Sequence, residues 1–459
     1  MTLYSVRDLE TLPPLQRFTA AERSAMRVVA HVLPFRANDY VVDELIDWDR
    51  APDDPIFRLT FPWPDMLEPE DFRRMEAALA SGDAERVRGA ATEIRRRLNP
   101  HPAGQSDANV PRLDGEPVPG LQHKYRETVL VFPAAGQTCH AWCTYCFRWP
   151  QFVRSEAKRF ATARARPDLE YVRRHREVTD VLLTGGDPLI MKTARLAAFV
   201  EPLLQPGFEH VRTIRIGTKA PAYWPYRFLS DDDADDVLRL FERVVESGRH
   251  LAFMAHFSHP RELSTPAARS ALRRVRGAGA VIRTQAPIVR HVNDDAGTWA
   301  RMWSEQVRLG CVPYYMFVER DTGAHAYFAV PLARALEIYG AAFRSVSGLG
   351  RTARGPVMSA WPGKVLVEGT ADVAGRRVFV LRLLQARDPE QAGRVLFARY
   401  DPRATWLTDL VPAFGDVRPG DAAVTGRTAP GHPPALWRHL ARPRSAAPRD
   451  GSRSTRKPT

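Results

Sequence analysis

The chain of 459 residues holds four cysteines, and three of them fall within eight positions. They are Cys139, Cys143 and Cys146, in the stretch "CHAWCTYCFR" at 139–148. A C-x3-C-x2-C spacing puts three thiols on one short loop. A structural zinc site closes its shell with four ligands, so zinc here would need a fourth donor such as His140. Three thiolates can instead hold three irons of a 4Fe–4S cluster and leave the fourth iron open. An open iron can take the amino and carboxylate groups of S-adenosylmethionine (SAM). Electron transfer into the sulfonium then yields a 5′-deoxyadenosyl radical, chemistry that resides in the cofactors rather than in side chains. The competing reading is three buried or incidental cysteines.

Other uses of the thiols fit less well. Three clustered cysteines and a distant Cys311 do not form a disulfide framework. The N-terminal stretch "MTLYSVRDLETLPPLQRF" lacks a basic region followed by an apolar core, so no signal peptide is expected. A cytoplasmic, reducing setting follows as the expectation. No apolar run approaches the roughly 18 residues of a membrane span.

The elements that must carry the loop are legible as a rhythm. Apolar, β-rich runs occur at "TVLVF" (128–132), "DVLLT" (180–184), "VRTIRI" (211–216), "LAFMAHF" (251–257), "AVIRTQAPIV" (280–289) and "YYMFV" (314–318). Amphipathic segments separate them. One of these, "DDDADDVLRLFERVVESG", is expected to be capped by Ser230, with its acids at the positive end of the helix dipole. Six strands alternating with helices predict parallel βα units in an α/β fold. A curved partial barrel and an open doubly wound sheet both fit, and either gathers ligands at the C-terminal ends of its strands. The cysteine loop directly follows the first of these strands. Residues before about 110 look helical, with a stop at Gly82. Residues 99–120 read as a loop, and short β-like runs at 345–400 suggest a C-terminal extension packed on the barrel.

Net charge is +13, which raises nucleic acid as a partner. The distribution argues against it. Residues 441–459 hold six Lys/Arg and one Asp, carry +5, and read as a disordered basic tail; the rest of the excess is scattered arginine.

Several further blocks accompany the cysteine loop: "DDPI" (53–56), "PVPGLQHKY" (117–125), "LLTGGDPL" (182–189), "RIGTKAP" (215–221), "HFSHPRE" (256–262) and "PYY" (313–315). Together, and in this order, they resemble the lysine 2,3-aminomutase family of the radical SAM superfamily, over roughly residues 20–400. The resemblance implies a partial (β/α)6 TIM-like radical SAM barrel at 121–335. A helical N-terminal extension (1–120), a C-terminal extension (336–440) and the tail (441–459) would flank it. It implies cluster ligation by Cys139, Cys143 and Cys146. Gly185, Gly186 and Asp187 would contact the methionine amino group of SAM. Tyr145 would lie near the adenine, and Thr218, His256 and Gln285 would lie on SAM-facing strand ends. A partner electron donor such as flavodoxin or ferredoxin is implied, and a homo-oligomer is compatible.

Aminomutases of this family hold pyridoxal phosphate on a lysine as a Schiff base and move an amino group from C2 to C3 of an amino acid. By this resemblance Arg148 is the clamp for the substrate carboxylate, a role suited to a guanidinium. Lys124 matches a basic position of the phosphate site, but a second one falls on Thr128. Lys364, after Pro362-Gly363, is the best candidate for the pyridoxal lysine, although the glycine-rich loop expected there is shortened. The aspartate that meets a lysine side chain falls on Arg320, and a second acidic position falls near Ser359. Like charge disfavours free L-lysine, so an acidic or uncharged amino acid is expected, with Asp321 as the residue that would restore lysine binding. The alternative is a radical SAM enzyme without pyridoxal that abstracts hydrogen for another reaction on the same fold.

Overall fold

Strand pairing follows sequence order without a single reversal. In the computed structural model, which describes residues 1–101, 109–153, 161–162 and 165–414, one sheet of eleven strands runs β1 to β11 in chain order. The strands are β1 (Leu121–Tyr125), β2 (Thr128–Val131), β3 (Asp180–Leu183), β4 (Thr213–Thr218), β5 (His250–His256), β6 (Val281–Ile288), β7 (Val312–Val318), β8 (Arg354–Ser359), β9 (Gly363–Val373), β10 (Arg376–Ala386) and β11 (Val395–Arg399). The tail at 441–459, and residues 415–440 of the C-terminal extension, lie outside the described residues.

Strands β2 to β8 are parallel neighbours. The longer helices that connect them are α4 (Ala165–Arg174), α5 (Thr193–Val200), α6 (Ala234–Glu246), α7 (Pro266–Gly277), α8 (Ala296–Arg308) and α9 (Leu332–Arg344). Ahead of the sheet lie α1 (Ala20–Val32), a short helix at Pro55–Thr60, α2 (Pro69–Ala80) and α3 (Ala84–Leu98). A doubly wound sheet needs a switch point where strand order reverses. The order here has none, so that alternative falls. Crossovers of one hand in this order leave one face of the sheet to the helices and the other face free.

The side chains sort accordingly. Val129, Val131, Val181, Leu183, Ile214, Ile216 and Phe253 are buried in the main core, each contributing about 1.5–3 kcal/mol. The alternate residues Leu130, Leu182, Arg215, Gly217, Met254, Gln285 and Phe317 border cavities on the free face. Helix α6 buries Val237, Leu240, Phe241 and Val244, an apolar stripe at helical spacing. Its start differs from the expected one. The N-cap is Asp233 with no side-chain cap bond, and Ser230 lies outside the helix. The Asp233 carboxylate instead accepts from the amide and hydroxyl of Thr193 and pairs with Arg227.

The C-terminal part also differs from expectation. β8 continues the parallel run past residue 335, and β9 to β11 then extend the same sheet as antiparallel strands. Their own core packs Val365, Val367, Phe379 and Leu381 with Trp406 and Leu410. Among the described residues, no helix is long and apolar enough to cross a membrane.

Candidate active site

The cysteine loop leaves β2 and is held from outside by the N-terminal region. The Trp142 amide donates to the Arg36 carbonyl at 2.9 Å, and the Thr144 amide donates to the Leu59 carbonyl at 2.9 Å. The Thr144 hydroxyl donates to the Arg58 carbonyl at 2.7 Å. Asn38, fully buried, donates to the carbonyls of His140 (3.2 Å) and Tyr223 (2.9 Å). The "DDPI" block acts one step behind this. Asp54 caps the helix Pro55–Thr60 through the amides of Ile56 and Phe57, which fixes the carbonyls that Thr144 reads.

Cys139, Cys143 and Cys146 all border one cavity, of about 320 Å³, on the free face of the sheet. Their partial exposure is to this cavity. Burial pushes all three thiols up, Cys146 to about 12; neighbouring cysteines push Cys139 and Cys146 further, while Lys219 opposes the rise at Cys143. Three adjoining thiols that resist ionisation need a cationic centre to become thiolates, so the donor set fits an iron–sulfur cluster. His140 does not join them. It is absent from the cavity wall, and burial drives its imidazole down to about 3. Among the described residues no group of three His, Cys, Asp or Glu side chains is arranged around a single ion; a cluster spreads its thiolates over three irons.

The glycine block sits against the start of the same loop. A Cβ on Gly186 would meet the Thr138 carbonyl oxygen at 2.3 Å, and one on Gly185 (φ +145°) would meet Gln137 Nε2 at 2.2 Å. Only glycines allow this approach, and both border the cysteine cavity. Asp187 does not. Its carboxylate is buried and occupied by the Thr218 hydroxyl (2.7 Å), the Leu189 amide (2.9 Å) and the Lys219 amide (2.8 Å). It ties the end of β3 to the end of β4 and so positions the two glycines, rather than facing the ligand space. Thr218 and Gln285 do border the cavity.

His256, at the end of β5, accepts or donates through Nε2 with the Tyr145 hydroxyl at 2.8 Å, and Tyr145 also bonds Ser258 at 2.9 Å. Burial holds His256 well below its ordinary range, so the imidazole is neutral. These contacts fix the aromatic ring that precedes Cys146. Lys219 and Glu262 escaped the sequence reading although both lie in quoted blocks. They form a buried ion pair at 2.6 Å that locks "RIGTKAP" onto "HFSHPRE", and Glu262 also accepts from the amides of Ser258 and His259.

A second cavity, of similar volume, adjoins the first on the side of β7 to β10. Arg148, Gln285, Phe317, Arg320 and Ser359 border both. Its described wall carries six basic side chains, Lys124, Arg148, Arg215, Arg320, Lys364 and Arg387, against one carboxylate, Asp321. Asp321 lies 3.4 Å from His101. Arg148 and Arg320 flank the Phe147 ring at 5.1 and 5.0 Å, and Arg148 also lies 4.4 Å over Phe132. Neither has an ion-pair partner among the described residues, and Arg320 Nε is buried without a hydrogen bond. Burial lowers the Arg148 guanidinium to about 10.

Lys364 points into this cavity from the head of β9. It is the second residue of β9, after the turn at 360–362, and its amine donates to Gln385 at 2.5 Å. The Tyr125 and Tyr315 rings lie 5.4 and 5.2 Å from the amine. Burial lowers Lys364 to about 8. Lys124 donates to the Ala360 carbonyl and is held well below its ordinary range by burial and by Arg387, Arg320 and Lys364. Thr128 borders the cavity as well, and Arg387 supplies a cation from the C-terminal part. It lies 3.9 Å over Trp361 and donates to Asn109 at 2.5 Å. A partly neutral lysine between two aromatic rings, with further cations around it, fits a pyridoxal phosphate.

No family model matches the chain. It is 32% identical over 405 residues to a protein of Aquifex aeolicus (strain VF5) named "Putative L-lysine 2,3-aminomutase", covering 88% of this chain and 95% of that one. It is 30% identical over 234 residues to the L-lysine 2,3-aminomutase of Escherichia coli (strain K12), covering 50% and 63%. The corresponding figures for the L-lysine 2,3-aminomutase of Fusobacterium nucleatum are 29% over 238 residues, 51% and 52%. Among solved structures, a radical SAM methyltransferase from Sphaerobacter thermophilus is similar at a TM-score of 0.35 and 15% identity, covering 51% of this chain and 67% of that one.

Proposed function

As the chain belongs to the lysine 2,3-aminomutase family of radical SAM enzymes, we propose that it moves an amino group from C2 to C3 of an amino acid other than free L-lysine. The observation that carries the reading is the shared wall between the cavities. A substrate among the cations lies against whatever occupies the cysteine cavity, with Arg148, Gln285 and Arg320 touching both spaces.

When bound, the cluster and SAM would supply radical chemistry, and pyridoxal phosphate would supply a carbonyl for the substrate amine. The chain's own residues do the rest. Cys139, Cys143 and Cys146 ligate iron. Gly185 and Gly186 admit the methionine end of SAM, and Tyr145, Thr218, His256 and Gln285 line its path. Lys364 gives the attachment amine, with Lys124 and Arg387 toward the phosphate. Arg148 takes the α-carboxylate, its fork held by the two phenyl faces. We read the parallel strands as the partial barrel of the superfamily, with a small iron–sulfur or flavin protein as reductant.

Arg320 sets side-chain choice. A substrate ammonium would meet an unpaired, buried guanidinium, which costs several kcal/mol; a carboxylate or a neutral group does not. The wild-type enzyme is therefore expected to turn over an acidic or uncharged amino acid in preference to L-lysine. Arg320→Asp should move the ratio of kcat/KM toward a basic side chain by about 3 kcal/mol, roughly a hundredfold. L-lysine as the best wild-type substrate would refute the role of Arg320.

A further inference from the structure

Glu319 follows the last residue of β7 and is almost wholly enclosed, with 2% of its side chain exposed. One oxygen, Oε2, meets His325 Nδ1 at 2.6 Å, and His325 Nε2 meets the Thr405 hydroxyl at 3.2 Å. The other oxygen, Oε1, is buried with no hydrogen-bond partner. Glu319 borders the cysteine cavity and is absent from the wall of the cation-rich one. A buried carboxylate oxygen left unmatched is costly, and such an atom in a binding cavity marks where a ligand donor belongs.

A nucleoside occupying this cavity offers as donors the adenine amino group and the ribose hydroxyls. Its amino-acid end is claimed by the loop side, where Gly185, Gly186 and the cysteines lie. The sulfonium has none. Ribose hydroxyls are donors that an enclosed carboxylate takes readily, as acidic residues do in dinucleotide sites. The His325 contact occupies Oε2 and leaves Oε1 free to accept a hydroxyl. The neighbouring wall at Ala286, Pro287 and Val318 is apolar and suits the flat base beside Tyr145.

We propose that Glu319, oriented by His325 and Thr405, accepts a hydrogen bond from a ribose hydroxyl of SAM through Oε1. The inference rests on the radical SAM reading above. It adds a nucleoside-binding residue from the end of β7 and makes the C-terminal segment around Thr405 part of the SAM site.

The test uses full-length reconstituted protein under anaerobic conditions and titration calorimetry with S-adenosylhomocysteine and its 2′-deoxy and 3′-deoxy analogues. The wild type should bind one deoxy analogue about tenfold or more weakly than the parent, the loss of one charge-assisted hydrogen bond. Glu319→Ala should bind the parent about as weakly as that analogue and no longer distinguish the two. Glu319→Gln, which keeps shape and an acceptor but loses charge, should fall between and guards against misfolding of the alanine variant. Iron content and visible absorbance should be retained in both. Equal affinity for parent and both analogues in the wild type would overturn the proposal, as would undiminished discrimination in Glu319→Ala. If the wild type binds neither SAM nor S-adenosylhomocysteine, the radical SAM reading fails and this inference fails with it. Binding of both without any role for Glu319 removes the inference alone.

Discussion

Replacing Cys143 by alanine is expected to remove the bound cluster and to reduce SAM cleavage to background. The loop supplies three thiols to one cavity; His140 is absent from the described wall, and His256, which borders it, is held by the Tyr145 hydroxyl. Wild-type protein reconstituted with iron and sulfide should hold about four irons and release 5′-deoxyadenosine on reduction. With two thiols the cluster lacks one of its three protein anchors, so iron content and the visible absorbance should fall together. Cys311→Ala is the control. That residue is buried beside α8 and β7, outside both cavities, and should change neither property. Full SAM cleavage by Cys143→Ala would remove the cluster assignment.

Lys364→Ala is expected to abolish attachment of pyridoxal phosphate and all amino migration while leaving the cluster and SAM binding in place. Two lysines border the cation-rich cavity, so the test must separate them. Borohydride reduction of the loaded enzyme followed by peptide mapping should put the label on the peptide containing Lys364. Lys124→Met should keep the label, because the Lys124 amine is committed to the Ala360 carbonyl, and should weaken cofactor binding by removing a basic group from the phosphate side. The pH dependence follows from burial. An amine attacks a carbonyl only when neutral, and Lys364 loses its proton at about 8 instead of the ordinary 10.5. Attachment should therefore accelerate as pH rises through about 8. A label on Lys124 would relocate the site within the same cavity. No label at saturating pyridoxal phosphate would favour the pyridoxal-free alternative.

How much of this was legible beforehand depended on how local each feature is. The six apolar runs between 128 and 318 are strands in the structure because short apolar, β-rich runs are written into consecutive residues. The cysteine spacing and the glycine pair are likewise local. Other features depend on segments far apart in the chain. Asp187 looked ligand-facing in "GGDPL", yet Thr218 and the Lys219 amide, some thirty residues on, consume its carboxylate. Ser230 looked like a cap, but the contacts of Asp233 to Thr193 and Arg227 place the helix start later. Lys364 was expected just after the Pro362-Gly363 turn, at the head of a β-like run. The pairing of β9 with β8 and β10 makes it a strand residue whose side chain still reaches the cavity. Arg387 and the Glu319–His325–Thr405 chain had no sequence signal, since nothing in single residues tells which strand ends meet.

The central claim is amino migration at the wall between the two cavities. Its most direct measurement is product analysis by carbon-13 NMR. Reduced, reconstituted enzyme is incubated with SAM, pyridoxal phosphate and individual carbon-13-labelled amino acids. The account predicts accumulation of the 3-amino isomer from an acidic or uncharged amino acid, and little from L-lysine. Efficient cleavage of SAM with no amino acid in the panel isomerised, or with L-lysine isomerised best, would contradict it.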